Sequence, residues 1–77
     1  MHNSNYNTKI TVAKDINDIE RLFYAEEKDF GRSSYNIKKI GNKLIFDVKA
    51  EDATALKIAL NTITKILCVW DKTKDLK

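Results

Sequence analysis

The sequence predicts a single small α+β domain in which a three-stranded antiparallel sheet carries two helices on one face. Two observations predict this fold class. Apolar and polar residues alternate on both sides of Gly41-Asn42, which is typical of a β-hairpin. Stretches that begin near Ile16 and Glu51 instead repeat apolar residues at helical spacing. With a first strand before them, the element order is strand, helix, strand, strand, helix.

The domain boundaries are predicted from composition, since the 77 residues suffice for one domain and no repeat or linker divides them. Residues 1–7 are polar and unpatterned, which predicts a disordered tail. The domain is expected over residues 8–72, with a frayed C-terminus at 73–77. Alternation of Ile10 and Val12 with polar neighbours predicts the first strand.

The first helix is expected to begin after Asp15, whose carboxylate can cap it, and to end between Ala25 and Asp29. One face carries its apolar residues: Ile16, Ile19, Phe23 and Phe30.

The hairpin strands are predicted at Ser34–Ile40 and Lys43–Lys49, because glycine accepts and asparagine tolerates the positive φ of a two-residue turn. Alternation directs one set of third-strand residues toward the helices: Leu44, Phe46 and Val48. Glu51 or Asp52 is expected to open the long second helix.

The second helix is apolar around roughly 220° of its circumference, against about 100° or a little more for an ordinary surface helix. By side-chain size we assign its leucine-rich stripe to the core: Leu56, Leu60, Ile63, Leu67 and Trp70. A second stripe is then predicted to contact a partner: Ala55, Ile58, Ala59, Thr62, Ile66 and Val69. Rotation of the helix by one stripe satisfies the same pattern, and burial in a single core is the alternative to an interface.

No residue pattern indicates an enzyme. Cys68 is the single cysteine and cannot form an internal disulfide, and together with His2 it cannot make a four-ligand zinc site. Neither residue has a catalytic partner nearby in sequence. The acids Glu26, Glu27 and Asp29 fit a solvated helix end better than acid/base catalysis, and no phosphate-binding loop is present. We therefore expect no cofactor and no metal. Because the sequence has no apolar run of membrane-spanning length and only one cysteine, we also expect no membrane partner and a cytoplasmic location.

Basic residues near the hairpin offer a different function, a small RNA-binding module. Five could meet phosphates if they share a face: Arg32, Lys38, Lys39, Lys43 and Lys49. Strand alternation places some of them on opposite faces, however, and Tyr35 is more readily an edge or core residue than a base-stacking one. The net charge of +3 does not decide the question.

The second half of the chain resembles a known family. The segment IFDVKAEDATALKIALNTITKIL contains an acidic turn, Glu51-Asp52, followed by Ala53-Thr54-Ala55-Leu56 and then Ala59-Leu60-Asn61-Thr62. A strand, a short acidic turn and this helical pattern are similar to the small dimerising subunit of the KEOPS complex, the polarised-growth chromatin-associated controller family related to the CTAG/LAGE antigens. The chain resembles either that subunit or a divergent paralogue of it.

The resemblance implies an accessory role without catalysis. Such subunits dimerise, as a homodimer or with a paralogous small subunit, and dock on the transferase subunit of a complex that also contains a small kinase. The complex makes threonylcarbamoyladenosine in tRNA. The resemblance therefore implies support of assembly and contact with tRNA, while ATP, metal and chemistry belong to the partners.

Overall fold

The computed structural model describes residues 5–75, and the side chains of residues 5–73. It confirms the predicted class and element order. The elements are β1 (Tyr6–Val12), α1 (Ile16–Phe23), β2 (Ser33–Ile40), β3 (Lys43–Ala50) and α2 (Ala53–Asp75). The strands form one antiparallel sheet in the order β1-β3-β2, so β3 is the central strand.

The two faces of the sheet differ in burial, as the alternation in β3 predicts. Leu44, Phe46 and Val48 are fully buried. Residues paired with them on the edge strands point to the same side, for example Ile10 and Ile37 opposite Phe46. One sheet face therefore forms the floor of the core.

Both helices pack on that face, which confirms the predicted two-layer arrangement. Ile19 and Phe23 of α1 and Ile63 of α2 belong to the same buried cluster as the β3 residues. The Phe23 ring meets the Phe46 ring edge to face, with 4.8 Å between centroids. Such aromatic pairs add about 0.5–1.5 kcal/mol beyond their buried area, so the α1–sheet contact has a specific geometry.

The predicted hairpin turn is confirmed at Gly41-Asn42. Gly41 has φ +59°, whereas Asn42 is not among the residues of positive φ. A positive φ at the first central residue alone fits a type II′ turn, which requires glycine at that position. Glycine has no Cβ and adopts this φ without the strain that a residue with a side chain would meet.

Helix α1 ends earlier than predicted, at Phe23. The Lys28 ammonium group donates hydrogen bonds to the carbonyl oxygens of Phe23 at 2.7 Å and Glu26 at 3.1 Å. A cation at the last carbonyls of a helix is favourable, and here it holds the chain as it leaves the helix. Phe30 consequently lies in the connecting loop, although its ring still packs beside Tyr35.

The outer boundaries also differ from the prediction. Strand β1 begins at Tyr6, inside the tail expected at 1–7, because its backbone pairs with β3 as far as Ala50. Helix α2 extends to Asp75, into the expected frayed end. Residues 1–4 and 76–77 of those two predicted segments lie outside the described residues.

The two helix starts use different devices. Asp52, one of the two residues expected to open α2, caps the helix, since its Oδ1 accepts the Ala55 N–H at 2.8 Å. Asp15 precedes α1 as expected but makes no side-chain cap hydrogen bond, and its backbone is left-handed with φ 52°. Its Oδ2 instead accepts a hydrogen bond from Trp70 Nε1 at 3.2 Å, which ties the start of α1 to the far end of α2.

Candidate functional site

The structure decides the rotation of α2 on the sheet, and two residues of the predicted partner stripe face the core. Ala55 is 2% exposed and Ala59 is fully buried, so their predicted exposure is wrong. The leucines expected at the centre of the core are half-buried on one flank, packed against the cluster: Leu56, Leu60 and Leu67. Relative to the predicted orientation, α2 is therefore rotated about its own axis by part of a turn.

Side-chain size explains the rotation. Ala55 and Ala59 are buried under α2, and side chains this small allow a helix backbone to lie near a sheet while larger residues such as Leu56 pack beside them. Ranking residues by size alone assigns the leucines to the centre, which is the reverse of this arrangement. Ile63, one turn beyond Ala59, completes the buried line.

The other flank of α2 carries the rest of the predicted stripe and is only partly covered, with Ile66 packed against the edge of the core. Ile58 is 46% exposed and Val69 is 57% exposed, while Thr62 and Ile66 are half-buried. The Thr62 hydroxyl donates to the Ile58 carbonyl oxygen at 2.9 Å, so its hydrogen-bonding need is met within the helix. The flank thus presents a mainly apolar surface.

This flank forms one wall of a groove of about 430 Å³ between the two helices. We call it the helix groove, and its lining residues are Leu22, Glu26, Thr62, Lys65, Ile66 and Val69. Leu22 of α1 supplies the opposite apolar wall and is 40% exposed. Glu26 and Lys65 place one charge of each sign beside the apolar centre. An amphipathic helix laid between α1 and α2 would cover these residues.

Leu22 is the groove residue that the sequence reasoning missed. It follows Ile19 by three residues, a spacing at which helical neighbours lie side by side. Assigning α1 a single apolar face left Leu22 without a role, and only its position opposite α2 shows its place in the groove.

The incomplete cover of α2 is also visible in its composition. Residues 53–73 are long and apolar enough, by length and composition, to cross a membrane, and 17% of that apolar window is buried within the chain. The same criterion is met by helices that pack in soluble proteins, so it measures apolar character alone. Helix α2 therefore retains much apolar surface beyond the part that the sheet covers.

The five predicted basic contacts do not form one surface. Arg32 pairs with Asp52 at 2.6 Å, beside the start of α2. Lys39 lies opposite Leu44, on the helix-covered side, where its ammonium group contacts Asn17 and Glu20. The other three share the sheet face that no described helix covers: Lys38, Lys43 and Lys49.

Lys9 joins those three lysines and was missed by the sequence reasoning, which considered only the hairpin. Lys9 lies opposite Asp47 in β1, next to the central strand. Strand alternation places Lys9 on one face of β1, but only the β1–β3 pairing shows that this is the face of the hairpin lysines.

The other residues considered from the sequence are Tyr35, the acids near the end of α1, and Cys68. Tyr35 is 4% exposed on the core side of β2, so its ring is not presented to a base. Glu27 Oε1 accepts the backbone N–H groups of Lys28 and Asp29, and Asp29 Oδ1 accepts that of Gly31, so these acids shape the loop. Cys68 is exposed, and residues 5–75 contain no cluster of three or more metal-ligating side chains.

The fold and the helix groove define the class: a small α+β domain whose helical layer leaves apolar surface uncovered. A profile of the family described as "Transcription factor Pcc1" matches residues 19–74, which is 56 of the 77 residues. The matched region runs from within α1 through α2 and therefore contains both walls of the groove. The chain belongs to the Pcc1 family, whose members are accessory subunits of the KEOPS complex, in the area of tRNA modification.

Comparisons with curated proteins and with solved structures gave no significant match to this chain. The family assignment accordingly rests on the profile match over residues 19–74.

Proposed function

We propose that this chain is a non-catalytic accessory and dimerisation subunit of KEOPS, which docks on the tRNA threonylcarbamoyl transferase subunit through the helix groove and so supports threonylcarbamoyladenosine formation in tRNA. The observation that carries the proposal is the partly covered apolar flank of α2 facing Leu22 across the groove. Because the chain belongs to the Pcc1 family, we expect its partner among the subunits of KEOPS.

The groove, together with Ile58 one turn before Thr62 on α2, suits a helical partner. Ile58, Thr62, Ile66 and Val69 succeed one another at three- and four-residue spacing along α2, which gives a straight stripe that a second helix can contact along its length. Fully burying a valine or isoleucine side chain contributes about 1.5–3 kcal/mol, and Ile58 and Val69 retain roughly half of that area. A partner helix would therefore gain on the order of 1 kcal/mol from each of them.

Small size supports the same conclusion. A domain of this length buries only around 60% of its unfolded surface, so association is a usual source of additional stability. We propose a dimer, of identical chains or with a paralogous small subunit, in a cytoplasmic complex that also contains the kinase subunit. The transferase and the kinase would supply the chemistry.

The test is association of the purified chain with the purified transferase subunit, measured by biolayer interferometry. In Val69→Glu, a carboxylate replaces an exposed groove residue, so the isolated fold tolerates the change while the interface must desolvate a charge. We expect affinity to fall by about 2–4 kcal/mol, or roughly 30- to 1,000-fold.

Asn61→Glu is the matched control, because it introduces the same side chain at an exposed position of the same helix, away from the groove. Its affinity should stay within about threefold of the parent, a difference of about 0.7 kcal/mol. Equal affinities of the two variants for the transferase would contradict docking through the groove. No binding by the parent chain would contradict the proposed function itself.

A further inference from the structure

The sheet face opposite the helices forms a second surface, which we call the open face. Alternation and strand pairing place eleven side chains on it: Asn7, Lys9, Thr11, Ser34, Asn36, Lys38, Ile40, Lys43, Ile45, Asp47 and Lys49. Within residues 5–75 both helices pack on the other side of the sheet, so none of these residues is covered by a helix.

The positive charge of the molecule is concentrated on this face. Four lysines and one aspartate give it a formal charge of +3, which equals the net charge of the whole chain. Removing these residues from the 14 basic and 11 acidic residues of the sequence leaves ten of each, so the rest of the protein is formally neutral. The chain is therefore strongly asymmetric in charge.

The lysines of the open face are available to a ligand. Lys9, Lys38, Lys43 and Lys49 are exposed, and no carboxylate in the described part of the chain forms an ion pair with them. Arg32 and Lys39, by contrast, are held by Asp52 and Glu20. Because the four ammonium groups need not break an internal pair, an incoming anion meets no such cost.

We infer that the open face binds the phosphate backbone of double-helical nucleic acid. Lysines with neighbouring amide and hydroxyl groups, such as Asn36 and Ser34, are the groups that contact phosphates and sugars. None of the eleven side chains is aromatic, so the face offers no platform on which unpaired bases stack. These features favour recognition of duplex shape and charge over single-strand or sequence-specific binding.

The dimensions fit such contacts. Lys43 and Lys49 stand six residues apart on β3, which corresponds to about 20 Å along the strand. Lys9 and Lys38 lie on the two flanking strands, roughly 10 Å apart across the sheet. The surface is independent of the docking proposed above, since it lies on the opposite side of the sheet from the helix groove.

The test is a fluorescence-anisotropy titration of the full chain into a labelled RNA hairpin whose stem is longer than the face, repeated over a series of salt concentrations. A single-stranded RNA of equal length is the comparison. Four phosphate contacts predict a slope of about −3 to −4 in a plot of log affinity against log salt. The hairpin should bind several-fold more tightly than the single strand.

Variants identify the face. Lys9→Gln/Lys38→Gln should reduce affinity more than tenfold near 0.1 M salt and lower the magnitude of the slope by about 2. Lys57→Gln/Lys72→Gln removes the same charge from exposed positions of α2 outside both proposed surfaces, and should leave the affinity and the slope nearly unchanged. Asp47→Asn, with its fold verified by circular dichroism, should tighten binding several-fold because it removes the one acid on the face.

Equal losses in the two lysine pairs would overturn the inference, because net charge alone would then explain binding. A titration without salt dependence, or tighter binding to the single strand, would overturn it as well. Binding to vesicles of phosphatidylcholine and phosphatidylserine with none to the RNA hairpin would instead identify the face as a membrane-surface contact and refute the nucleic-acid assignment.

Discussion

Ala59→Leu tests the rotation of α2 on the sheet, on which the assignment of the helix groove depends. Ala59 is fully buried in the core cluster that α2 shares with the sheet, so three added carbon atoms must displace packed neighbours. Overpacking of this kind costs about 1–3 kcal/mol. If Ala59 instead belonged to an exposed stripe, the same substitution would be nearly neutral.

Such a cost is large for this protein. A 77-residue domain has an expected free energy of unfolding of about 4–12 kcal/mol, and 1 kcal/mol shifts the melting temperature by about 4–8 °C at this size. Urea unfolding monitored by the fluorescence of Trp70, the single tryptophan, measures the loss. Protein concentration must be equal in all samples, because a dimer makes apparent stability depend on it.

Ala53→Leu is the control, since Ala53 is exposed at the start of the same helix and receives the same three carbon atoms. We expect it to remain within about 0.5 kcal/mol of the parent. Indistinguishable stabilities of the Ala59 and Ala53 variants would show that Ala59 does not face the sheet, and the residues assigned to the groove would then be wrong.

Two further predictions concern single contacts. Asp52→Ala removes both the cap on the Ala55 N–H and the exposed ion pair with Arg32, and should lower the free energy of unfolding by about 0.5–2 kcal/mol. Arg32→Gln removes only the ion pair and should cost less than about 1 kcal/mol. Equal losses of the two variants in urea titrations would show that the cap contributes nothing. Burial, and secondarily the charges of Glu26 and Glu27, raise the pKa of Tyr35 above its usual value of 10.0, so its contribution to stability is full below that pH and is lost as the pH rises through the folded-state pKa. The melting temperature of Tyr35→Phe should therefore fall less steeply with rising alkaline pH than that of the parent. At pH 7 the substitution should be near neutral in stability, since the buried hydroxyl has no hydrogen-bond partner in the described structure. An alkaline profile of melting temperature equal to that of the parent would contradict this.

The fold was largely predictable because its signals are local. Alternation in β3 assigned Leu44, Phe46 and Val48 to the core, and Gly41-Asn42 located the hairpin. The start of α2 was narrowed to Glu51 or Asp52, and Asp52 is the residue that caps it, through an N–H only three residues away. In contrast, the partner of Asp15 is Trp70, 55 residues distant, so no local pattern indicates that contact.

The candidate site was predictable only in part, because it depends on contacts between residues that are distant in sequence. Ile58 and Val69 are exposed and Thr62 and Ile66 are half-buried, while the role of all four in binding stays a prediction. Leu22 was not found, because a groove between two helices depends on how those helices are placed against each other. The shared face of the lysines likewise depends on which strand β1 joins.

The sequence by itself determined the element types, their order, the inward face of the central strand and an apolar surface on α2 larger than the domain can cover. Tertiary structure alone decided which part of that surface meets the sheet and which charges remain unpaired. The physical reason is that an apolar arc of roughly 220° satisfies the helical pattern at several rotations. Only the close packing of Ala55 and Ala59 against the sheet selects one of them.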